Sequence, residues 1–228
     1  MKGLNNIGAT CWLNALVQCL RVCKDWNKPT GLDKVVTLDK PVGLDFYKVM
    51  RGESDNTTDI LKNDLLPQYF TNSPNDSQEA FLYLVDRLKL KEFEGEVTQT
   101  VIYPGGRSVS KSPCTIWFHQ EKHDVIEGYK DENGHVYNVA VIRRTLTKVP
   151  EILVSDTVQE ELFGKKLLGI VLWVPFGHYV AYVKEAGDWW LVDDLNIKRE
   201  EPILTRRGYI AFYGVGKTYT PRTHFEET

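Results

Sequence analysis

The stretch GLNNIGATCWLNALVQCL, residues 3–20, places a cysteine at the start of a predicted helix. Apolar side chains follow Cys11 at helical spacing, and the hydroxyl of Thr10 is expected to cap the helix. Backbone N–H groups in a first turn favour the thiolate, so we expect the pKa of Cys11 to fall toward neutrality. Cys11 is therefore a candidate nucleophile. The alternative is a small buried side chain without chemistry.

Residues upstream of the cysteine suit the same chemistry. The amide of Asn6, five residues earlier, is able to donate to the oxyanion of a tetrahedral intermediate, together with the backbone N–H of Cys11. The run from Gly8 to Thr10 has no bulky side chain, so a substrate backbone could approach closely.

The candidate partners of the thiol lie near the other end of the chain, in GHYVAY (177–182) and WWLVDD (189–194). If a four-residue hairpin loop joins them, Lys184 lies opposite Trp189. Asp193 is then a diagonal neighbour of His178 on one face, and Asp194 projects to the other. Asp193 is thus expected to orient the imidazole, whereas a bulge would promote Asp194.

Composition narrows the possible partners. The chain has 228 residues and a formal net charge of −3, so it lacks the basic excess of nucleic-acid binders. No apolar run approaches the ~20 residues that a membrane-spanning helix needs. The four cysteines are too few and too uneven for a disulfide framework. We expect an intracellular, cytoplasmic protein with reduced thiols and a protein or small-molecule partner.

The hydrophobic period divides the chain into two lobes. Helical patterns dominate residues 3–92, and alternating patterns dominate residues 93–214, which predicts an α+β fold with an antiparallel sheet. We interpret 3–214 as a single catalytic domain and 215–228 as a polar tail. Predicted helices cover 11–23, 44–50 and 60–70, with a further one capped by Asp76 or Ser77; Ile116–Phe118 is among the predicted strands.

Taken in order, these segments resemble the ubiquitin-specific protease family of cysteine deubiquitinases. The first stretch is similar to its Gly-Leu-x-Asn-x-Gly-x-Thr-Cys box, and the last two to its Gly-His-Tyr-x-Ala-Tyr and Asp-Asp segments. Intermediate similarities occur at Asp76–Glu79, Lys148–Leu153 and Gly208–Tyr213.

The resemblance implies a papain-like fold with a helical thumb lobe, an antiparallel β palm and fingers. It also implies partners, namely conjugates of ubiquitin or a ubiquitin-like protein, which are cleaved after a C-terminal Gly-Gly. The chemistry would need no metal and no other cofactor. The implied roles are nucleophile for Cys11, general base for His178, orienting acid for Asp193, oxyanion donor for Asn6, auxiliary acid for Asp194, and substrate contacts for Gly8, Gly177 and Tyr179.

One departure from the family lies between residues 93 and 148. Many members carry two Cys-x-x-Cys pairs there that bind a structural zinc, and this chain has neither pair. The fingers are therefore expected to be shortened and free of metal. Cys114, His119 and His123 have a spacing that could gather three zinc ligands, but no fourth ligand is evident.

Two other functions fit parts of the pattern. Papain-like polyprotein proteases of RNA viruses share the Cys-Trp-Leu-Asn string, and several act on ubiquitin-like tails as well. An inactive ubiquitin-binding scaffold on the same fold is the other alternative, and intact Cys11, His178 and Asp193 argue against it. A thiol-reactive ubiquitin probe separates enzyme from scaffold, and cleavage of a peptide junction without cleavage of ubiquitin indicates the polyprotein protease.

Overall fold

The computed structural model describes residues 2–6, 8–27, 43–64, 75–119, 124–204 and 209–215. In these ranges, all α-helices precede all strands. The helices are α1 (Cys11–Cys23), α2 (Leu44–Met50) and α3 (Ser77–Leu88), with a π-helical turn at Ile60–Asp64 and a 3-10 turn at Lys91–Phe93. None of the helices in this described part of the chain combines the length and apolar content that crossing a membrane requires.

The strands form two antiparallel sheets, which confirms the predicted α+β class. One sheet has the order β2-β1-β4-β3, and the other has the order β10-β9-β8-β7-β11-β5, with β6 paired to β7. The strands are β1 (Gly95–Tyr103), β2 (Gly106–Cys114), β3 (Asp124–Lys130), β4 (Val136–Lys148), β5 (Leu153–Ser155), β6 (Glu161–Leu162), β7 (Lys165–Val174), β8 (His178–Glu185), β9 (Asp188–Asp193), β10 (Asn196–Arg199) and β11 (Ile210–Gly214).

Helix α1 is the centre of the larger core. Twelve of its thirteen residues are buried, so it is enclosed on all sides rather than lying on the surface with one apolar stripe. It packs on strands β7 and β8 and against α3. The predicted apolar side chains Leu13, Leu16 and Leu20 are fully buried there. A nucleophile at the start of such a helix is held on a rigid element.

Helix α3 is tied to the start of α1. Asp76 caps it by accepting hydrogen bonds from the backbone N–H groups of Gln78 and Glu79. Ser77, the other candidate cap, instead donates its hydroxyl to the carbonyl of Trp12 at 2.8 Å. The predicted cap is thus Asp76, and Ser77 links the two helices next to Cys11.

A second core lies between the two sheets. Val97 and Leu146 from the four-stranded sheet pack with Ile170 and Tyr213 from the larger sheet. Strand β2 borders little of this core, and eight of its nine residues are exposed. Because neither face of β2 is buried, its sequence lacks the alternation that marks a strand, and sequence patterns did not predict it.

Two other segments differ from the sequence-based expectation. Ile116–Phe118 is not a strand. Within it, only Trp117 forms an isolated β-bridge, with Ser155, and the N–H of Trp117 donates to the carbonyl of Val154. The predicted helix at 60–70 begins as the π-helical turn. Residues 65–70 and the tail beyond residue 215 lie outside the described residues.

Candidate active site

Cys11 is the first residue of α1 and is 6% exposed. The turn before it is closed by a hydrogen bond from the N–H of Thr10 to the carbonyl of Gly8, at 2.8 Å. The hydroxyl of Thr10 does not cap α1, contrary to the sequence-based expectation. It donates to the side-chain carbonyl of Asn6 at 3.2 Å, so it holds Asn6 next to the residue that precedes the candidate nucleophile.

The environment of the thiol also corrects an expectation. Burial raises the pKa of Cys11, and the negative charge of Asp194 raises it further. The backbone N–H groups of Tyr179, Trp12 and Cys11 itself act in the opposite direction and lower the pKa, but they do not offset burial. The net pKa of Cys11 therefore lies above its ordinary value, and the resting thiol is neutral at neutral pH.

This raised pKa predicts the pH dependence of thiol reactivity. Because only the thiolate is nucleophilic, alkylation of Cys11 by iodoacetamide should accelerate continuously between about pH 6 and pH 9. Mass spectrometry of the peptide that contains Cys11 measures the rate at each pH. A rate that reaches a plateau below about pH 7 would show a preformed thiolate and contradict this assignment.

The hairpin of β8 and β9 has the register that the sequence predicts. Lys184 lies opposite Trp189, and the ladder continues to Ala181 opposite Val192. The loop is shorter than the four residues predicted, because Glu185 also pairs with Asp188. Ala186 and Gly187 form the turn with positive φ angles of 54° and 92°, typical of a tight two-residue hairpin. A loop shortened by one residue at each end leaves the facing of every side chain unchanged.

His178 and Asp193 meet at the open end of this hairpin. His178 begins β8, Asp193 ends β9, and Nε2 of His178 lies 2.6 Å from Oδ1 of Asp193. A carboxylate only accepts, so this contact selects the histidine tautomer that carries its hydrogen on Nε2 and can accept through Nδ1. Tyr179, the next residue, directs its backbone N–H at the Cys11 thiol, which places the thiol next to the start of β8.

Asp194 occupies a different place from its neighbour. It lies in the two-residue turn between β9 and β10 with a φ of 52°, a left-handed conformation that aspartate tolerates. Its Oδ2 accepts from the amide of Asn6 at 2.8 Å, and its Oδ1 accepts from the amide of Asn14 at 2.7 Å. Asp193 therefore contacts the histidine, and Asp194 contacts the candidate oxyanion donor.

Polar side chains of α1 hold the N-terminal segment against this site. Asn14 donates to the carbonyl of Asn5, and Gln18 donates to the carbonyl of Lys2. At Gly3, an added Cβ would lie 2.8 Å from the Cα of Leu195, closer than real contacts allow. Gly3 thus lets the segment pass beside the Asp194 turn, where the N–H of Leu4 donates to the carbonyl of Asp194 at 3.0 Å.

The three predicted substrate contacts differ in exposure. Gly8 and Gly177 have φ angles of 81° and 74°, which favour glycine, and an added Cβ at either would meet open space. The ring of Tyr179 is only 8% exposed and packs on Tyr209 at a centroid distance of 5.5 Å. Tyr179 therefore contacts the thiol through its backbone N–H, and its buried side chain packs against Tyr209.

One group of described residues has the spacing of metal ligands, namely His178, Asp193 and Asp194. Nε2 of the histidine already donates to Asp193, and both oxygens of Asp194 accept amide hydrogens. These contacts fit proton transfer and hydrogen bonding better than coordination. Within the described ranges, Cys114 and His119 belong to no such group, and His123 lies outside those ranges.

The structure adds two residues that sequence reasoning left without a role. Asn14 lies in the stretch 3–20, and Thr57 lies outside the motifs of the sequence. The hydroxyl of Thr57 donates to Oδ1 of Asn14 at 2.7 Å, and Asn14 in turn donates to Asp194. An asparagine within the otherwise apolar run 11–17 is the available signal for Asn14, and no local signal marks Thr57.

Comparison with known proteins relates the fold to solved structures. No family model and no curated protein matches the sequence. A chain of the SAGA Ubp8/Sgf11/Sus1/Sgf73 DUB module bound to ubiquitin aldehyde superposes with a TM-score of 0.69 and 16% identity, covering 96% of this chain and 70% of that one. The module in another structure gives a TM-score of 0.62 at 17% identity, covering 94% and 67%. The chain thus shares the fold of this module's matched chain.

Proposed function

We propose that this chain is a cysteine protease that cleaves after the C-terminal Gly-Gly of ubiquitin or a ubiquitin-like protein. The observation that carries the proposal is the 2.6 Å contact between His178 and Asp193, with the buried thiol of Cys11 held at the backbone N–H of the next residue, Tyr179. This arrangement provides a nucleophile, a base and an acid that orients the base. The shared fold with a DUB module supports the choice of substrate.

The acylation step follows from the protonation states. Nδ1 of His178 accepts the proton of the Cys11 thiol as the sulfur attacks the carbonyl carbon of the terminal glycine. The resulting imidazolium is stabilised by the carboxylate of Asp193. The carbonyl oxygen becomes an oxyanion, which the amide of Asn6 and the backbone N–H of Cys11 stabilise. Collapse of the intermediate expels the amine, which takes the proton from His178, and leaves a thioester.

Hydrolysis of the thioester regenerates the enzyme. Nδ1 of His178 accepts a proton from water as the water oxygen attacks the thioester carbon. The same oxyanion donors stabilise the second intermediate. Collapse releases the carboxylic acid of the modifier, which loses its proton to solvent, and the thiolate of Cys11 takes the proton held by His178. Over the cycle, the amine leaves with the original thiol proton, and water supplies the proton that restores the thiol.

The raised pKa of Cys11 influences the timing of these transfers. Burial and Asp194 favour the neutral thiol, so a stable thiolate and imidazolium pair is not the expected resting state. The proton is therefore transferred as the substrate carbonyl arrives, when the developing oxyanion gains its hydrogen bonds. This order protects the thiol from adventitious alkylation and oxidation at neutral pH.

Ubiquitin is favoured as a substrate by two independent observations. A variant of the same SAGA DUB module is bound to monoubiquitin, and its matched chain superposes on this chain with a TM-score of 0.66. Glycines with open space beside them also flank the site at positions 8 and 177. A Gly-Gly tail, which has no side chains, suits a passage bordered by such backbone.

Under this proposal, the four-stranded sheet forms the fingers, and its strands carry no Cys-x-x-Cys pair.

A ubiquitin probe with a thiol-reactive C terminus tests this function directly. The wild-type protein should form a single covalent adduct, and peptide mapping should locate it on Cys11. The internal controls are the other free cysteines, of which Cys19 and Cys23 are buried and Cys114 is half-buried. Absence of an adduct, together with failure to hydrolyse fluorogenic ubiquitin and ubiquitin-like substrates, would overturn the proposal.

A further inference from the structure

We infer that Thr57 is a positioning residue that fixes the orientation of the oxyanion donor Asn6 through Asn14 and Asp194. This inference rests on the proposed function, because it assigns a role within the same site. Thr57 lies in the segment between α2 and the π-helical turn, far along the chain from each of its three partners. It touches no reacting atom and acts through other side chains.

The first contact is buried and leaves little freedom. The hydroxyl of Thr57 donates to Oδ1 of Asn14 at 2.7 Å. Thr57 is 1% exposed and Asn14 is 2% exposed, so water does not readily replace either partner. A buried carbonyl that loses its donor is costly, and the two groups therefore hold each other in place.

This contact anchors the amide of Asn14 in one of its two orientations. Because Oδ1 accepts from Thr57, the nitrogen Nδ2 points the other way, where it donates to Oδ1 of Asp194 at 2.7 Å and to the carbonyl of Asn5 at 3.2 Å. A reversed amide would place its oxygen against these two acceptors, so Asp194 and Asn5 select the observed orientation, because a hydroxyl can donate or accept. The hydroxyl of Thr57 then donates to the oxygen on the opposite side and anchors the amide.

The selected orientation extends to the oxyanion donor. With one oxygen of Asp194 held by Asn14, the other accepts from Nδ2 of Asn6 at 2.8 Å. The carbonyl of Asn6 accepts from both the N–H and the hydroxyl of Thr10, each at 3.2 Å. Asn6 itself is exposed, so it depends on these contacts for its orientation. The second amide hydrogen of Asn6 is then available to donate to the substrate oxyanion of the proposed reaction.

The test compares Thr57→Val with Thr57→Ser. Valine has nearly the same shape without the hydroxyl, and serine keeps the hydroxyl. For Thr57→Val we expect kcat on a fluorogenic ubiquitin substrate to fall about tenfold, equal to about 1.4 kcal/mol of transition-state stabilisation, with KM within about twofold. Thr57→Ser should retain kcat within about threefold of wild type. Alkylation of Cys11 should be unchanged in both, because neither removes a charge.

A second readout does not depend on activity. In nuclear magnetic resonance spectra, the side-chain amide hydrogens of Asn14 should exchange slowly with solvent in the wild type and in Thr57→Ser, and faster in Thr57→Val. Equal exchange in all three proteins would overturn the positioning role, as would equal kcat in the two variants. If the wild type forms no ubiquitin adduct, the proposed function fails, and amide exchange still decides whether Thr57 fixes Asn14.

Discussion

Asp193→Asn is expected to lower kcat on a fluorogenic ubiquitin substrate by about 10²–10⁴-fold while leaving ubiquitin binding nearly intact. The asparagine removes the charge that stabilises the imidazolium, and its amide can bond the histidine in the wrong tautomer. Asp193 has a side-chain exposure of 42%, so its loss should shift the melting temperature by less than about 2 °C. Steady-state kinetics, a ubiquitin-binding titration and a thermal melt measure these three effects.

The matched control for this variant is Asp188→Asn. Asp188 begins the strand that Asp193 ends, and it pairs with Arg199 on the surface, so its replacement should change kcat by less than about twofold. A large loss in Asp194→Asn combined with normal turnover in Asp193→Asn would mean that the acid of the site is Asp194. The contact between His178 and Asp193 would then have no catalytic role.

Asp194→Asn is expected to change turnover and thiol reactivity in opposite directions. The asparagine can accept through one oxygen only, so it loses a charge-assisted hydrogen bond to Asn6 or Asn14, each worth about 1.5–3 kcal/mol. We expect kcat to fall about 10²-fold and the melting temperature to fall by about 4–8 °C.

Alkylation of Cys11 should change in the opposite direction in the same variant. The charge of Asp194 raises the pKa of Cys11, so its removal lowers that pKa and increases the thiolate fraction at neutral pH. The variant should therefore react faster with iodoacetamide than the wild type at about pH 7. Slower alkylation alongside reduced kcat would indicate general damage to the site and would contradict the assignment of Asp194 to Asn6 and Asn14.

The register of the β8 and β9 hairpin is a feature that the local sequence predicts correctly. Strand side chains alternate strictly, and a tight turn joins the two strands, so the residue opposite Lys184 was predictable without a structure. The same regularity predicts that Asp193, and not Asp194, shares a face with His178. Helices α2 and α3 were predictable for a similar reason, because apolar spacing and a capping aspartate are local features.

Other properties depend on contacts between distant parts of the chain. The start of a helix alone favours a low pKa for Cys11, but burial and Asp194 raise it, and neither can be read from residues 8–12. Thr10 is a good capping residue by type, yet its hydroxyl is taken by Asn6. Strand β2 exists because β1 offers it an edge, although its own residues are mostly exposed.

By itself, the sequence determined the α+β class, the helix that carries Cys11 and the pairing of His178 with Asp193, because each follows from local periodicity or from turn length. The tertiary structure alone decided the protonation of the thiol and the chain of contacts from Thr57 to Asn6. Those depend on burial and on hydrogen bonds between segments up to 188 residues apart, and such contacts leave no periodic trace in the sequence.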